Sequence, residues 1–327
     1  MSVKAGALRF NTDSLKMELF DGNQWVEIVA TSPESQTGGA RGVFGGGADP
    51  STVNTIDYVT ISTTGNALDF GNLTENKNYA GNPSSRTRGL FGGRWNPTSN
   101  VIDYITIAST GDAQDFGDLS VAKEIGGGCG NSTRGLFGGG ASSGPTTARN
   151  EIEYVTFSST GDTKDFGDLT VARWGCRSCS SSTRGVFGAG GTGGTGGNVV
   201  DFITISTLGN AADFGDCLSS LRYFGSCSNS IRGLFGGGDT PAAVNSIEYI
   251  TIATLGNAQD FGDLNSVFAV AMSCSSPTRG LFSGNTPSVV NTIEYVQIMT
   301  TGNSVDFGDL TQSRVTGIAL SNGHGGL

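Results

Sequence analysis

The segment Arg134-Gly-Leu-Phe-Gly-Gly-Gly140 recurs along the chain, and this recurrence constrains the fold more than any bulk property. Close copies begin at Arg41, Arg88, Arg184, Arg232 and Arg279, so successive arginines lie 47, 46, 50, 48 and 47 residues apart. Each copy is followed by an apolar run containing an acid and an aromatic, such as Ile152-Glu-Tyr-Val-Thr-Phe157, and by a Gly-Asn or Gly-Asp turn, such as Gly161-Asp162. Asp-Phe-Gly closes the unit, starting at Asp69, Asp115, Asp165, Asp213, Asp260 and Asp306. A fixed period of this length predicts one small supersecondary unit per copy.

The unit around Arg184 shows the expected layout. Cys176–Ser182 reads as a first strand of small side chains, Gly185–Gly188 as a second, Gly191–Asn198 as a loop, Val200–Ser206 as a third strand and Ala211–Gly215 as a short fourth. In the third strand Val200, Phe202 and Thr204 alternate with Asp201, Ile203 and Ile205. Both faces carry apolar residues, as expected of a strand covered on both sides by stacked sheets. Four antiparallel strands per repeat make the blade of a β-propeller. The expectation is therefore an all-β fold, with a six-bladed propeller over residues 34–327. The Arg41 copy lacks a first strand, whereas Gly317–Leu327 reads as a first strand with nothing after it. The end of the chain is expected to complete the first blade, which would remove free sheet edges.

Residues 1–33 carry none of the repeated motifs. Gly6–Asn11, Lys16–Phe20 and Gln24–Ile28 read as three short strands, with turns at Asn11–Ser14 and Asp21–Asn23 and a linker at Thr31–Gly39. Strands this short bury little apolar surface, so this β segment is expected to lean on the main domain, a sister copy or another protein.

Bulk properties narrow the function. The net charge is −10, only 15 % of residues are charged, and no basic cluster occurs, which argues against nucleic acid as a partner. The 53 glycines follow no triplet period, so collagen is excluded and turns are implied. No run of 18 apolar residues is present, so no membrane insertion is expected. The first residues lack the apolar core of a secretory signal, so the protein is expected to stay in the cytoplasm or leave it by lysis.

The chemistry-bearing motifs read as structural. Asp-Phe-Gly is similar to the magnesium-binding triplet of protein kinases, but no His-Arg-Asp loop accompanies it. Instead its Phe is expected to pack between blades, its Asp to accept from backbone or a repeat arginine, and its Gly to bend the strand. The six repeat arginines are expected to hold carboxylates or carbonyls within each blade. Cys129, Cys179, Cys227 and Cys274 share one repeat position and are expected around the axis as small apolar side chains. Cys176 and Cys179 point to opposite faces, which favours neither disulfide nor metal, and Cys217 has no evident partner. His324 is the lone histidine and makes no site by itself. The glycine-rich stretch Gly190–Gly197 opens no helix and reads as a loop rather than a phosphate cradle. No catalytic residue, metal or cofactor is expected. The loops between second and third strands vary most, which suits a binding surface. Trp95 there and Trp25 in the first segment are the candidate partner contacts.

Two resemblances follow from these motifs. Over residues 41–327, the apolar residues with paired glycines, the Asp/Glu-Tyr pair, the later aromatic and the basic residue resemble the kelch repeat, with Phe of Asp-Phe-Gly where kelch repeats carry Trp. Gly6-Ala-Leu-Arg-Phe-Asn-Thr-Asp, then Leu19-Phe-Asp-Gly22 and Trp25 resemble a segment of bacteriophage tail-fibre and neck-fibre proteins. The resemblance implies a non-enzymatic structural protein of a virion, assembled in the host cytoplasm. Residues 1–33 would be its attachment or oligomerisation element, engaging other virion proteins, and propeller loops would engage a virion partner or host-surface glycan. By analogy with phage fibres it would form a homotrimer. The alternatives are a bacterial kelch-like glycan-binding or scaffold protein and, third, a propeller glycosidase.

Overall fold

The computed structural model describes residues 4, 6–11, 16–27, 40–124, 126–143, 147–192, 195–239, 242–269, 271–284 and 288–327. Among them are 26 strands in seven antiparallel sheets of three or four strands and no α-helix, an all-β, propeller-like arrangement. The chain divides into two units, residues 1–38 and 39–327.

The first unit is a meander of β1 (Leu8–Asn11), β2 (Lys16–Phe20) and β3 (Trp25–Glu27). The Asp21 carboxylate accepts the amides of Asn23 at 2.7 Å and Gln24 at 2.8 Å, which fixes the β2–β3 turn. The Arg9 guanidinium lies 4.2 Å from the centroid of the Trp25 ring, and Phe20 packs 5.3 Å away. Pairing aligns Leu8 with Leu19 and Leu19 with Val26 in one cross-strand row, and all three are exposed. Residues 12–14 of the expected first turn, Ile28 and the Thr31–Gly39 linker lie outside the described residues.

The second unit begins with β4 (Arg41–Gly45), β5 (Thr55–Thr60), β6 (Leu68–Asn72), β7 (Arg88–Arg94), β8 (Ser99–Thr106) and β9 (Gln114–Asp118). Next come β10 (Gly127–Gly130), β11 (Arg134–Gly138), β12 (Glu151–Thr156), β13 (Lys164–Asp168), β14 (Arg177–Ser180), β15 (Arg184–Thr192), β16 (Thr195–Thr204) and β17 (Ala212–Leu221). The last are β18 (Gly225–Ser228), β19 (Arg232–Gly236), β20 (Ser246–Thr251), β21 (Gln259–Asp263), β22 (Met272–Ser275), β23 (Arg279–Ser283), β24 (Thr292–Gln297), β25 (Val305–Asp309) and β26 (Ile318–Ser321). Four sheets run in chain order, from β10-β11-β12-β13 to β22-β23-β24-β25. The sheet of the first repeat is ordered β26-β4-β5-β6, with Ile318 opposite Gly45 and Ser321 opposite Gly42. The second repeat has three named strands, β7-β8-β9. Its first-strand segment touches β7 only through bridges at Gly81–Gly92 and Ser84–Gly89, on either side of Pro83. Proline has no N–H to give to the ladder, which interrupts the strand there.

The chain departs from expectation at Gly191–Asn198. Its described residues are strand: β15 reaches Thr192 and β16 begins at Thr195, with Gly190 opposite Gly197 and Thr192 opposite Thr195, while β17 reaches Leu221 to cover them. Glycines weaken the strand signal without preventing pairing.

The Asp-Phe-Gly block follows from local geometry. In each of the six sheets the third and fourth strands shift register opposite this block, as where Ile152 faces Gly167 but Glu153 faces Asp165. Phe166 is the extra residue of this bulge, and its ring is buried, edge-on to Tyr154 at 6.1 Å. Gly167 has φ 143°, and a Cβ there would sit 2.4 Å from the Gly209 carbonyl oxygen of the neighbouring sheet's turn. That turn explains the recurrent Gly-Asn or Gly-Asp. Gly161 N–H donates to Phe116 O at 2.7 Å, and Asp162 Oδ1 accepts the Asp118 amide at 3.0 Å. The pattern repeats at every such turn, including Gly65 N–H to Phe307 O at 2.8 Å and the Asp309 amide to Asn66 Oδ1 at 3.1 Å. The fourth-strand edges are thus hydrogen-bonded by the neighbouring sheet.

Candidate functional site

The repeat arginines act between sheets rather than within one. Each guanidinium lies 4.4–4.9 Å from the centroid of the aromatic on its own third strand, namely Tyr58, Tyr104, Tyr154, Phe202, Tyr249 or Tyr295. Stacked this way, Nη1 points across the junction. Arg41 donates to Ile107 O, Arg88 to Phe157 O, Arg134 to Ile205 O, Arg184 to Ile252 O, Arg232 to Ile298 O and Arg279 to Ile61 O, at 2.6–3.3 Å. Carbonyls are therefore the partners, and carboxylates are not. Asp69, Asp115, Asp165, Asp213, Asp260 and Asp306 are exposed on edge strands, and among the described residues none pairs with a repeat arginine.

A second set of charged residues was not singled out in the sequence. The buried acid of the third strand meets a buried cation from the preceding sheet in four junctions. Lys77 lies 3.8 Å from Asp103, Lys123 3.1 Å from Glu153, Arg173 2.8 Å from Asp201 and Arg314 3.0 Å from Asp57. Lys77, Lys123 and Arg173 each stand 11 residues before a repeat arginine, a recurrence legible in the sequence. In the other two junctions Leu221 and Phe268 occupy that slot, beside Glu248 and Glu294.

The cysteines pack between sheets. A Cβ on Gly233 would lie 2.4 Å from Cys179 Sγ, and Gly185, Gly280 and Gly42 stand in the same relation to Cys129, Cys227 and Cys274. Each thiol therefore fills the space that the glycine after the repeat arginine leaves in the next sheet. All six cysteines are free and buried, and burial pushes the Cys129 thiol up to about 12.

The serines flanking these cysteines face the preceding sheet and form a relay. Ser84 Oγ donates to Ser321 O, Ser321 to Ser275 O, Ser275 to Ser228 O, Ser228 to Ser180 O and Ser180 to Gly130 O, at 2.5–2.9 Å. Gly130 has no hydroxyl to continue it, because a Cβ there would lie 2.3 Å from Arg134 O. In its place His324 Nε2 donates to Ser84 O at 2.8 Å, and Nδ1 accepts the Gly326 amide at 3.1 Å. Since a carbonyl only accepts, the imidazole is the neutral Nε2–H tautomer. Burial pulls its pKa down to about 4, against the Ser84 hydrogen bond, which favours the charged form. The relay surrounds a cavity of about 40 Å³, room for a water or two, and a smaller one of about 20 Å³ shares Asn82, Ser226, Ser273 and Ala319 with it.

At the other end of these first strands the repeats stop resembling one another. The slot ten residues before Arg88, Arg134, Arg184, Arg232 and Arg279 holds Asn78, Glu124, Trp174, Arg222 and Ala269. Backbone bridges from Glu124 to Ala141, Trp174 to Gly191 and Arg222 to Asp239 anchor three of them at or just past the end of the second strand. One residue further on, Tyr79 and Tyr223 adopt φ 49° and 56°, where the equivalent residue of another repeat is Gly175, φ 61°. The Tyr79 and Tyr223 rings lie 5.0 Å apart, Trp174 lies 5.2 Å from Tyr223, and Arg222 covers Trp174 at 5.1 Å while pairing with Asp239. Arg177 Nη1 donates to Gly126 O and Cys176 O. Glu124 is 3 % exposed. Burial raises its pKa to about 7, with Arg177 acting in the opposite direction. Burial likewise lifts Tyr79 to about 12, helped by the Glu124 charge.

Trp95 is half-buried rather than free in its loop, and Trp25 is half-buried beneath Arg9. Parts of the other variable loops (144–146, 193–194, 240–241 and 285–287) lie outside the described residues. Among the described residues no group of three or more His, Cys, Asp and Glu could hold a metal ion. Compared with known proteins, the chain matches no family model and no curated sequence.

Proposed function

We propose that this chain is a non-enzymatic structural protein of a bacteriophage particle, a fibre or appendage component. Residues 39–327 are a closed, six-bladed, kelch-like propeller, and residues 1–33 attach it to other virion proteins, as a homotrimer by analogy with phage fibres. The observation that carries the reading is the first segment. Its fibre-like motif coincides with the exposed apolar row Leu8, Leu19 and Val26 on a unit too small to support itself. Closure is supported by the β26–β4 pairing and by the inter-sheet bonds from Gly65 to Phe307 and from Arg279 to Ile61. The propeller displays its ends and loops to a virion partner or to a host-surface glycan. Particles purified from lysate and probed by peptide mass spectrometry should contain the chain, and its absence would sink the virion reading. Class averages of the isolated protein should show six lobes around a centre. The second reading, a bacterial kelch-like glycan-binding or scaffold protein, is favoured by the non-repeating Tyr79–Tyr223–Trp174 cluster.

A further inference from the structure

We infer that Lys77 and Asp103 condense to an isopeptide bond, with Glu75 moving the protons, so that the first and second sheets become covalently joined. The inference stands apart from the virion and glycan readings.

Three observations carry it. The first is the constellation. Lys77 follows β6 of the first sheet, Asp103 lies on β8 of the second, and both side chains are wholly buried. Lys77 Nζ is 3.8 Å from Asp103 Oδ2, too far for a hydrogen bond. The ammonium is held instead by Glu75 Oε1 at 2.8 Å and the Val101 carbonyl at 2.9 Å. Once it gives up one proton, the two that remain serve those acceptors, and the lone pair is left for the Asp103 carboxyl.

The second is the setting of the two acids. Thr74 donates its amide and its hydroxyl to Asp103, at 3.2 and 2.5 Å, so donors are in place for the oxyanion that attack at Cγ creates. Burial raises the Asp103 carboxyl, against Lys77 and Thr74. Burial acts on Glu75 too, but Lys77, Ser99 and Arg94 together hold it below its ordinary value, with Arg94 Nη1 3.1 Å from Oε2. Glu75 is thus the base and Asp103 the electrophile.

The third is the contrast with the other junctions. Asp201 and Asp57 accept from Thr170 and Thr311 in the same way, but they face arginines, which keep their protons. Lys123 lies nearer its acid, 3.1 Å from Glu153, but Val121 occupies the slot of Glu75 two residues before the lysine. The step at Lys77 balances without a co-reactant. Glu75 takes a proton from the ammonium, and the amine attacks Asp103 Cγ. The Nζ–Cγ bond forms, one Cγ–Oδ bond breaks, and that oxygen leaves as water with two of the nitrogen protons. A neutral amide then replaces two desolvated charges, and burial keeps water from reversing the step. The bond closes a loop over the first-strand segment interrupted at Pro83.

The test is intact mass spectrometry of the full chain after denaturation. The chain should be about 18 Da lighter than its sequence, the mass of one water, and its digest should contain the Lys77 and Asp103 peptides joined. Lys77→Arg keeps the charge, and should restore the sequence mass and lower the melting temperature. Glu75→Gln leaves the buried pair in place, which keeps the test open if the arginine variant misfolds. Newly made Glu75→Gln protein should lose its water about a hundredfold more slowly than the parent. Three results overturn the proposal: a parent at its full sequence mass, a loss that survives Lys77→Arg, as ring closure at Asp21-Gly22 would give, or a loss equally fast in the parent and Glu75→Gln.

Discussion

Four of the junctions between neighbouring sheets bury a cation against the third-strand acid, and two bury Leu221 or Phe268 instead. What all six share is smaller. The acid accepts a backbone amide from the segment after Asp-Phe-Gly of the preceding sheet: Thr74 to Asp103, Ser120 to Glu153, Thr170 to Asp201, Leu218 to Glu248, Asn265 to Glu294 and Thr311 to Asp57. The acid is therefore needed for the amide, and the cation is interchangeable with apolar volume. Physical chemistry permits this, because the attraction of a buried pair barely exceeds the desolvation of two charges. The arginines even leave donors stranded, since Arg173 Nε and Arg314 Nε and Nη1 are buried without partners.

The comparison breaks most visibly when one partner is removed. Asp201→Ala leaves Arg173 charged and alone, and should cost about 3–5 kcal/mol in denaturant unfolding. Phe268→Ala should cost about the same through its cavity. If either is silent, the two kinds of junction are not doing equivalent jobs. The next test transplants one kind into the other. Arg173→Leu with Asp201→Glu copies the Leu221/Glu248 junction, and should recover all but about 1–2 kcal/mol of what Arg173→Leu alone loses.

His324 offers an intermediate effect at a different junction. Its folded pKa, about 4, lies below the unfolded value of 6.5. The stability it gives is complete above pH 6.5 and is lost as pH falls from 6.5 to 4, by at most about 3 kcal/mol. The gap in melting temperature between the parent and His324→Gln should narrow over that window. The smallest effect contrasts two glutamates in equivalent places. Burial raises both, but Lys123 and the Ser120 donors bring Glu153 below its ordinary value, while the Leu218 and Ser219 amides leave Glu248 above it. The Glu153 contribution is present above pH 4.5 and fades below it. Glu248 disfavours the folded state above its raised pKa and ceases to do so as pH falls to 4.5. Glu153→Gln and Glu248→Gln should therefore change the acid limb of a stability–pH curve in opposite senses.

The repeated turns and strands were legible because periodicity reports what every copy must do. Asp-Phe-Gly was visible, and its glycine was read as a bend, but the arginine's target lay in another copy, which self-comparison cannot reveal. The acid of Asp-Phe-Gly, read as accepting from backbone or a repeat arginine, is solvent-exposed beside the bulge at Phe166. The Tyr79–Glu124–Tyr223 cluster was missed for the opposite reason: averaging over repeats discards the slots where they differ. Disagreement at one slot, as among Asn78, Glu124, Trp174 and Arg222, is the signal that would have found it.

The pairing of β26 with β4 also sets a schedule for biosynthesis. Ile318 reaches Gly45 only after the intervening chain has been translated. At about 5–20 residues per second, the β4 edge of the earliest sheet waits unpaired for roughly 15–60 s on the ribosome. A nascent product stalled short of Ile318 would present that naked edge to its neighbours on a polysome.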